Sequence, residues 1–299
     1  MRAAVVRRFE EGPRYESFEL PPGKGEVVDV LAAALSPRVR SGASGSHYTS
    51  TDELPLVPGI DGVGRLATGQ RVYFVGGGAM AEQAHARMSV PLPDGVGATT
   101  IAAGMLPAIS SWVALTKRAP LQAGQGVLVL GATGTSGQLA VQIAKHLGAG
   151  RVIAAGRNVE ALERLRADEI LTLTDLDALA RAASEVDIVL DYLWGTVTSA
   201  LMPLLCKHRR DESRALRWVL IGSVTGDEIA LSSVLLRKRN LQILGSGQGA
   251  TSTAEMFGVA PAIIAAFESG VLEVRAREVP LSEVATWWTD QGDRIVFVP

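Results

Sequence analysis

The chain has 299 residues, 47% of them hydrophobic, enough to bury the cores of two domains. Its formal net charge of −2, with acids and bases intermixed, gives no general attraction to nucleic acid or to an anionic membrane. The single cysteine, Cys206, excludes an internal disulfide and any multi-cysteine zinc site.

The chain opens on Met1–Arg8, basic but without the apolar core of a secretory signal. Short β-like runs follow at Ala3–Val6, Glu26–Leu31, Gly62–Leu66, Arg71–Phe74 and Met88–Val90. They are punctuated by Pro21-Pro22-Gly23, Pro58-Gly59 and Pro91-Leu92-Pro93, and predict a compact, mostly β domain. From Leu121 the texture changes to alternation. Strands are predicted at Val127–Leu130, Val152–Ala154, Ile170–Leu173, Asp187–Leu190, Trp218–Ile221 and Leu241–Leu244. Helices fit Ser136–Leu147, Val159–Ala167, Leu176–Ser184, Val197–Lys207 and Leu231–Arg237. Six strands with interleaved helices predict an α/β, doubly wound parallel sheet of the Rossmann kind. A helix near Ala254–Glu268 and β-like runs at Glu273–Val279 and Arg294–Val298 then return the chain to the first domain. The expected division is 1–108 with 255–299, and 109–254. Apolar runs are broken by Gly, Pro or charge, so no stretch of about 20 residues reads as a membrane span. A cytoplasmic protein is expected.

The most informative stretch is the run Gly126–Leu130, which breaks into Gly131-Ala132-Thr133-Gly134-Thr135-Ser136-Gly137 before a helical pattern of Leu139, Ala140, Ile143, Ala144 and Leu147. Small residues let a backbone approach phosphates, and free N–H groups at a helix start attract an anion. Ala132 stands at the first position of the glycine fingerprint, with Gly134 and Gly137 at the others. Ala132 through Gly137 are the candidate pyrophosphate contacts. The next strand ends in Gly156-Arg157-Asn158. An acid there would hold the ribose hydroxyls of NAD; Arg157 instead suits a 2′-phosphate, so NADPH is the expected cofactor, with Asn158 beside it. Later strand ends place Leu193, Trp194, Gly222, Ser223, Gly245 and Ser246 on the same crevice.

Several landmarks coincide with one family. Pro58-Gly59-Ile60-Asp61-Gly62-Val63-Gly64, Gly78-Ala79-Met80-Ala81-Glu82-Gln83, Pro91-Leu92-Pro93-Asp94-Gly95, Asp191–Gly195, Ile221–Gly226 and the ending Asp293–Pro299 occur in family order. The chain resembles the medium-chain dehydrogenase/reductases, and within them the zinc-independent quinone oxidoreductase branch. The resemblance implies a GroES-like, mostly β catalytic domain beside the Rossmann domain. It also implies a homodimer paired through the sixth strand of each sheet, here Leu241–Leu244. Zinc members carry a His-Glu pair where this chain has Ile60-Asp61, so no catalytic metal is expected.

Without metal, hydride transfer to a quinone or an activated, α,β-unsaturated carbonyl needs geometry and one donor for the developing oxyanion. The resemblance makes Tyr48 the candidate hydroxyl, with His47 adjacent and Ser36 and Trp194 as candidate substrate contacts. Short-chain reductases share a similar glycine loop but use Tyr-x-x-x-Lys, and no tyrosine here has Lys four residues later. The alternative that remains is a cofactor-binding sensor or structural protein with little turnover.

Overall fold

The structure, a computed structural model, describes residues 1–50, 53–290 and 292–299. The chain forms two compact units, Met1–Leu106 with Ala260–Pro299, and Pro107–Val259.

In the first unit, β1 (Arg2–Val5) pairs antiparallel with β2 (Arg14–Ser17). A second sheet starts from β3 (Glu26–Ala34), which leads into helix α1 (Pro37–Ala43). Strands β4 (Asp61–Leu66), β5 (Arg71–Val75), β6 (Gln83–Ala86) and β7 (Met88–Pro91) follow. β3 is long enough to take β4 along one side and β6 on the other. Val28, Val72, Phe74 and Met80 fill the core of this unit. β2, α1 and β6 are absent from the sequence expectation. Arg14-Tyr15-Glu16-Ser17 and Gln83-Ala84-His85-Ala86 are short and hold no β-branched residue, so pairing rather than propensity makes them strands.

Helix α2 (Ala98–Val113) comes next, continued by a wider turn of helix at Ala114–Arg118. Together they are long and apolar enough to cross a membrane by length and composition alone. However, 72% of the apolar window is buried in the fold, as in the core helix of a globular protein. Pro107 lies inside α2 and cannot donate to the Ala103 carbonyl; Arg294 Nε donates to it instead at 3.2 Å.

The second unit is built on β8 (Gly126–Leu130), α3 (Thr135–His146), β9 (Arg151–Gly156), α4 (Val159–Glu163), β10 (Glu169–Thr172), α5 (Leu176–Ala182), β11 (Ile188–Asp191), α6 (Gly195–His208), β12 (Leu216–Leu220), α7 (Ser233–Lys238), β13 (Leu241–Gly245) and α8 (Thr253–Gly258). The six strands are all parallel, in the order β10-β9-β8-β11-β12-β13. This is the doubly wound arrangement, and its order reverses between β8 and β11. Central strands covered on both faces are continuously apolar: Val127–Leu130, Val152–Ala155 and Ile188–Leu190 are fully buried. α4 ends at Glu163, short of the predicted Ala167. Asp168 draws the chain away by pairing with the backbone of Val152 at the start of β9.

The chain then returns to the first unit through α9 (Ala260–Glu268), β14 (Arg277–Pro280), α10 (Val284–Trp287) and β15 (Ile295–Val298). β15 lies parallel to β14 and antiparallel to β3, completing a seven-stranded sheet.

Candidate active site

The turn after β8 is fixed by its own backbone. Gly131 and Ala132 N–H both donate to the Ala155 carbonyl of β9 at 2.9 Å, and Ala132 is fully buried. α3 begins against this turn. A Cβ on Gly137 would stand 2.3 Å from the Gly131 carbonyl oxygen, so only glycine allows the helix this close. Gly134 is different. It caps α3 with an extended backbone, and a Cβ there would meet nothing nearer than 3.8 Å. Nothing in the chain's own packing calls for glycine at that point. No side chain caps this helix, and among the described residues the N–H groups of Thr135, Ser136 and Gly137 have no acceptor. The result is a helix start with three free donors behind an open glycine, the arrangement that binds anions.

At the end of β9, Arg157 is exposed and makes no hydrogen bond or ion pair among the described residues. Its neighbour Asn158 is structurally engaged. The Asn158 side chain accepts from Ala161 N–H at 3.0 Å and caps α4.

The turns after β11 and β12 are organised by Asp191, a fully buried acid that sequence reasoning did not single out. Its Oδ1 accepts from the N–H groups of Leu193 (2.8 Å) and Trp194 (2.9 Å), and its Oδ2 from Thr198 Oγ1 (2.5 Å) and Trp218 Nε1 (2.8 Å). An acid closing an otherwise apolar strand was the available signal, but its four donors come from a loop, a helix and another strand. Trp194, expected as a wall for a flat substrate, has its ring buried in this unit, with Nε1 donating to the Asp227 carbonyl at 3.2 Å. Gly222 lies against the Tyr192 carbonyl, and Ser223 donates its hydroxyl to Asp227 at 2.6 Å. The Gly245 carbonyl accepts from Arg118 Nε, and Ser246, nearly buried, donates its N–H to Leu220. The parallel sheet therefore brings the turns holding Ala132–Gly137, Leu193, Gly222, Ser223, Gly245 and Ser246 to one edge.

The remaining candidates belong to the first unit. Ser36 is buried, and its hydroxyl accepts from Val39 N–H at 3.1 Å, capping α1 ahead of Pro37. Tyr48 is 73% exposed, and its ring stacks on His47 with centroids 4.2 Å apart. Desolvation, then the Arg38 guanidinium, hold the His47 imidazole below its ordinary pKa. Asp61, in the place of the zinc members' glutamate, is buried and accepts a 2.9 Å bond from the Tyr73 hydroxyl. Burial pushes its pKa up to about 6, against the opposing pull of Tyr73 and Arg294. Arg294 is itself lowered to about 10 by burial. Among the described residues, no three His, Cys, Asp or Glu side chains gather as metal ligands.

No protein-family model matches the chain. It is 29% identical to a probable NADPH-dependent quinone reductase from Emericella nidulans, over 93% of each chain. A mycobacterial quinone oxidoreductase shares the fold with a TM-score of 0.84 at 20% identity, each chain covered in full (100%). The quinone oxidoreductase from Thermus thermophilus, solved also in complex with NADPH, gives a TM-score of 0.76 at 25% identity, again over 100% of both. The six-stranded parallel sheet and the separate β unit match the quinone oxidoreductase fold, and the chain's homologues and structural neighbours are NADPH-dependent quinone oxidoreductases of the medium-chain dehydrogenase/reductase superfamily.

Proposed function

We infer that the chain is an NADPH-dependent oxidoreductase of the quinone oxidoreductase type, which reduces a quinone or an α,β-unsaturated carbonyl compound. The observation that carries this reading is the uncapped start of α3 behind an open Gly134. Three free N–H groups at the positive end of a helix fit a pyrophosphate, and the missing Cβ leaves it room. The unengaged Arg157 fits the 2′-phosphate that distinguishes NADPH from NADH. The Emericella and Thermus relatives, one described as NADPH-dependent and the other solved with NADPH, support the same cofactor.

When bound, NADPH supplies a hydride from its nicotinamide ring. The chain's own work is to hold and to frame. The N–H groups of Thr135, Ser136 and Gly137 take the pyrophosphate, with Ala132 and Thr133 forming the floor of the turn, and Asn158 keeps Arg157 at the head of α4. Leu193, Gly222, Ser223, Gly245 and Ser246 border the nicotinamide half. On the substrate side, Ser36 fixes the start of the helix that leads to Tyr48, and the Tyr48 hydroxyl or water delivers the proton that completes the hydroquinone or enol. No metal takes part in this reading, since Ile60 cannot ligate one and Asp61 is committed to Tyr73.

β13 is one of the two edge strands of the six-stranded sheet, and α7 before it buries none of its residues, leaving Val234 and Leu236 exposed. Pairing β13 with a second copy covers both features, so the active form is read as a homodimer. The test is an acceptor panel of quinones and enones read by NADPH absorbance, with NADH in parallel. Binding of NADPH without turnover on any acceptor refutes the reductase reading in favour of a sensor.

A further inference from the structure

Trp194 has backbone angles of φ 52° and ψ −153°, a region that glycine alone occupies at little cost. It is the one non-glycine residue with positive φ among the described residues. Its neighbours impose this conformation. Asp191 Oδ1 takes the N–H groups of both Leu193 and Trp194, and the Thr225 hydroxyl donates to the Leu193 carbonyl at 3.1 Å and also reaches that of Trp194. Gly195 completes the bend, where a Cβ would stand 2.2 Å from the Thr225 carbonyl oxygen. The turns after β11 and β12 are then laced together: Thr225 N–H donates to Leu193 O at 2.8 Å and the indole N–H of Trp194 to Asp227 O.

The laced turn carries Val224. This side chain is 75% exposed, more than any other large apolar side chain among the described residues. It follows Gly222 and Ser223 at the carboxyl end of β12, the side of a doubly wound sheet on which ligands bind. A loose turn could fold a valine back against the protein; here both flanks are tied, so the methyl groups stay in the open.

We propose that Trp194 is a positioning residue whose indole ties down the turn after β12, so that Val224 is held out as an apolar contact for the alkyl or fused-ring substituents of the electron acceptor, beyond the quinone ring itself. The inference rests on the reductase reading above and names the specificity element of that site.

Steady-state reduction of 1,4-benzoquinone, its methylated derivatives and menadione tests it in wild type, Val224→Ser, Trp194→Phe and the double variant. Val224→Ser lies on an exposed side chain and leaves the fold intact. It raises KM about tenfold for the methylated quinones and menadione, the order expected for losing an apolar contact. For benzoquinone, KM, kcat and the Kd for NADPH stay within about twofold. Trp194→Phe, which keeps a ring but loses the bond to Asp227, raises KM in the same series and adds nothing in the Val224→Ser background. Amide exchange at Val224–Asp227 becomes faster in Trp194→Phe, a readout that needs no turnover. Unchanged KM in Val224→Ser, additive effects in the double variant, or unchanged exchange overturns the proposal. Absence of turnover in wild type with faster exchange in Trp194→Phe strikes the reductase reading and keeps the tie.

Discussion

Replacing Asp191 by Ala removes the acceptor of four hydrogen bonds at once. Thr198 can turn its hydroxyl to a helix carbonyl, but the N–H groups of Leu193, Trp194 and Trp218 are fixed by backbone or ring and stay behind as buried donors. Each such donor costs about 1–3 kcal/mol, and relief of the buried charge offsets part of the total. A net loss of about 3–5 kcal/mol is expected from the three unsatisfied donors after that offset. At about 2–4 °C per kcal/mol for a domain of this size, the melting point falls by roughly 6–20 °C. Asp191→Asn keeps one oxygen for the two backbone donors but turns an NH2 toward Trp218, so it loses about half as much. Trp194 and Trp218 lie in the network, so urea unfolding followed by tryptophan fluorescence reports on it directly. A loss below about 1 kcal/mol for Asp191→Ala would refute the claim that this acid, rather than packing, holds the two turns.

Arg157→Ala should weaken NADPH binding by about 1–3 kcal/mol and leave NADH nearly unchanged in parallel titrations; equal losses refute the 2′-phosphate pairing. Activity should survive a strong chelator, with metal analysis finding no stoichiometric zinc. Asp61 has its folded pKa raised from 3.8 to about 6, so its contribution is intact below the unfolded value and is lost as pH rises through the folded one. Between about pH 4 and 7, Asp61→Asn should therefore gain on wild type by up to ~3 kcal/mol in chemical unfolding, and a pH-independent difference counts against the buried acid. Light scattering at micromolar concentration should give twice the 31.5 kDa of one chain; a monomer mass means β13 is covered in another way.

The second unit was legible because its signals are local. Val127–Leu130, Val152–Ala154 and Ile188–Leu190 are buried on both faces and so are apolar without alternation, and the glycines at 131 and 137 mark a strand-to-helix turn that must be tight. The first unit was less legible. β2 and β6 exist because β1 and β3 offer partners, which a single segment does not record. α2 was hidden by Gly104 and Pro107; its proline is tolerable only because Arg294, 187 positions further along the chain, serves the carbonyl left at Ala103. Ser36 was read only as a substrate contact, and its place ahead of Pro37 as the cap of α1 went unread.

Backbone hydrogen bonds separate binding from framing at the sheet edge better than residue type does. After β11 and β12 the donors are used up internally: Leu193 and Trp194 on Asp191, Val224 on Tyr192, Thr225 on Leu193, Ile221 and Gly222 on the Asp191 carbonyl. These turns can offer a ligand shape and apolar surface but few N–H groups. After β8 the situation is reversed, with Gly131 and Ala132 committed to Ala155 and the next helix left with free donors. Leaving three donors free at a helix start is tolerable only where water or an anion meets them. Glycine at 134, where the fold itself has room for a side chain, favours the anion. In the reading proposed above, the pyrophosphate of a dinucleotide would meet the free donors of α3, and the reactive half of the cofactor would lie toward the turns after β11 and β12, which have few donors left to give.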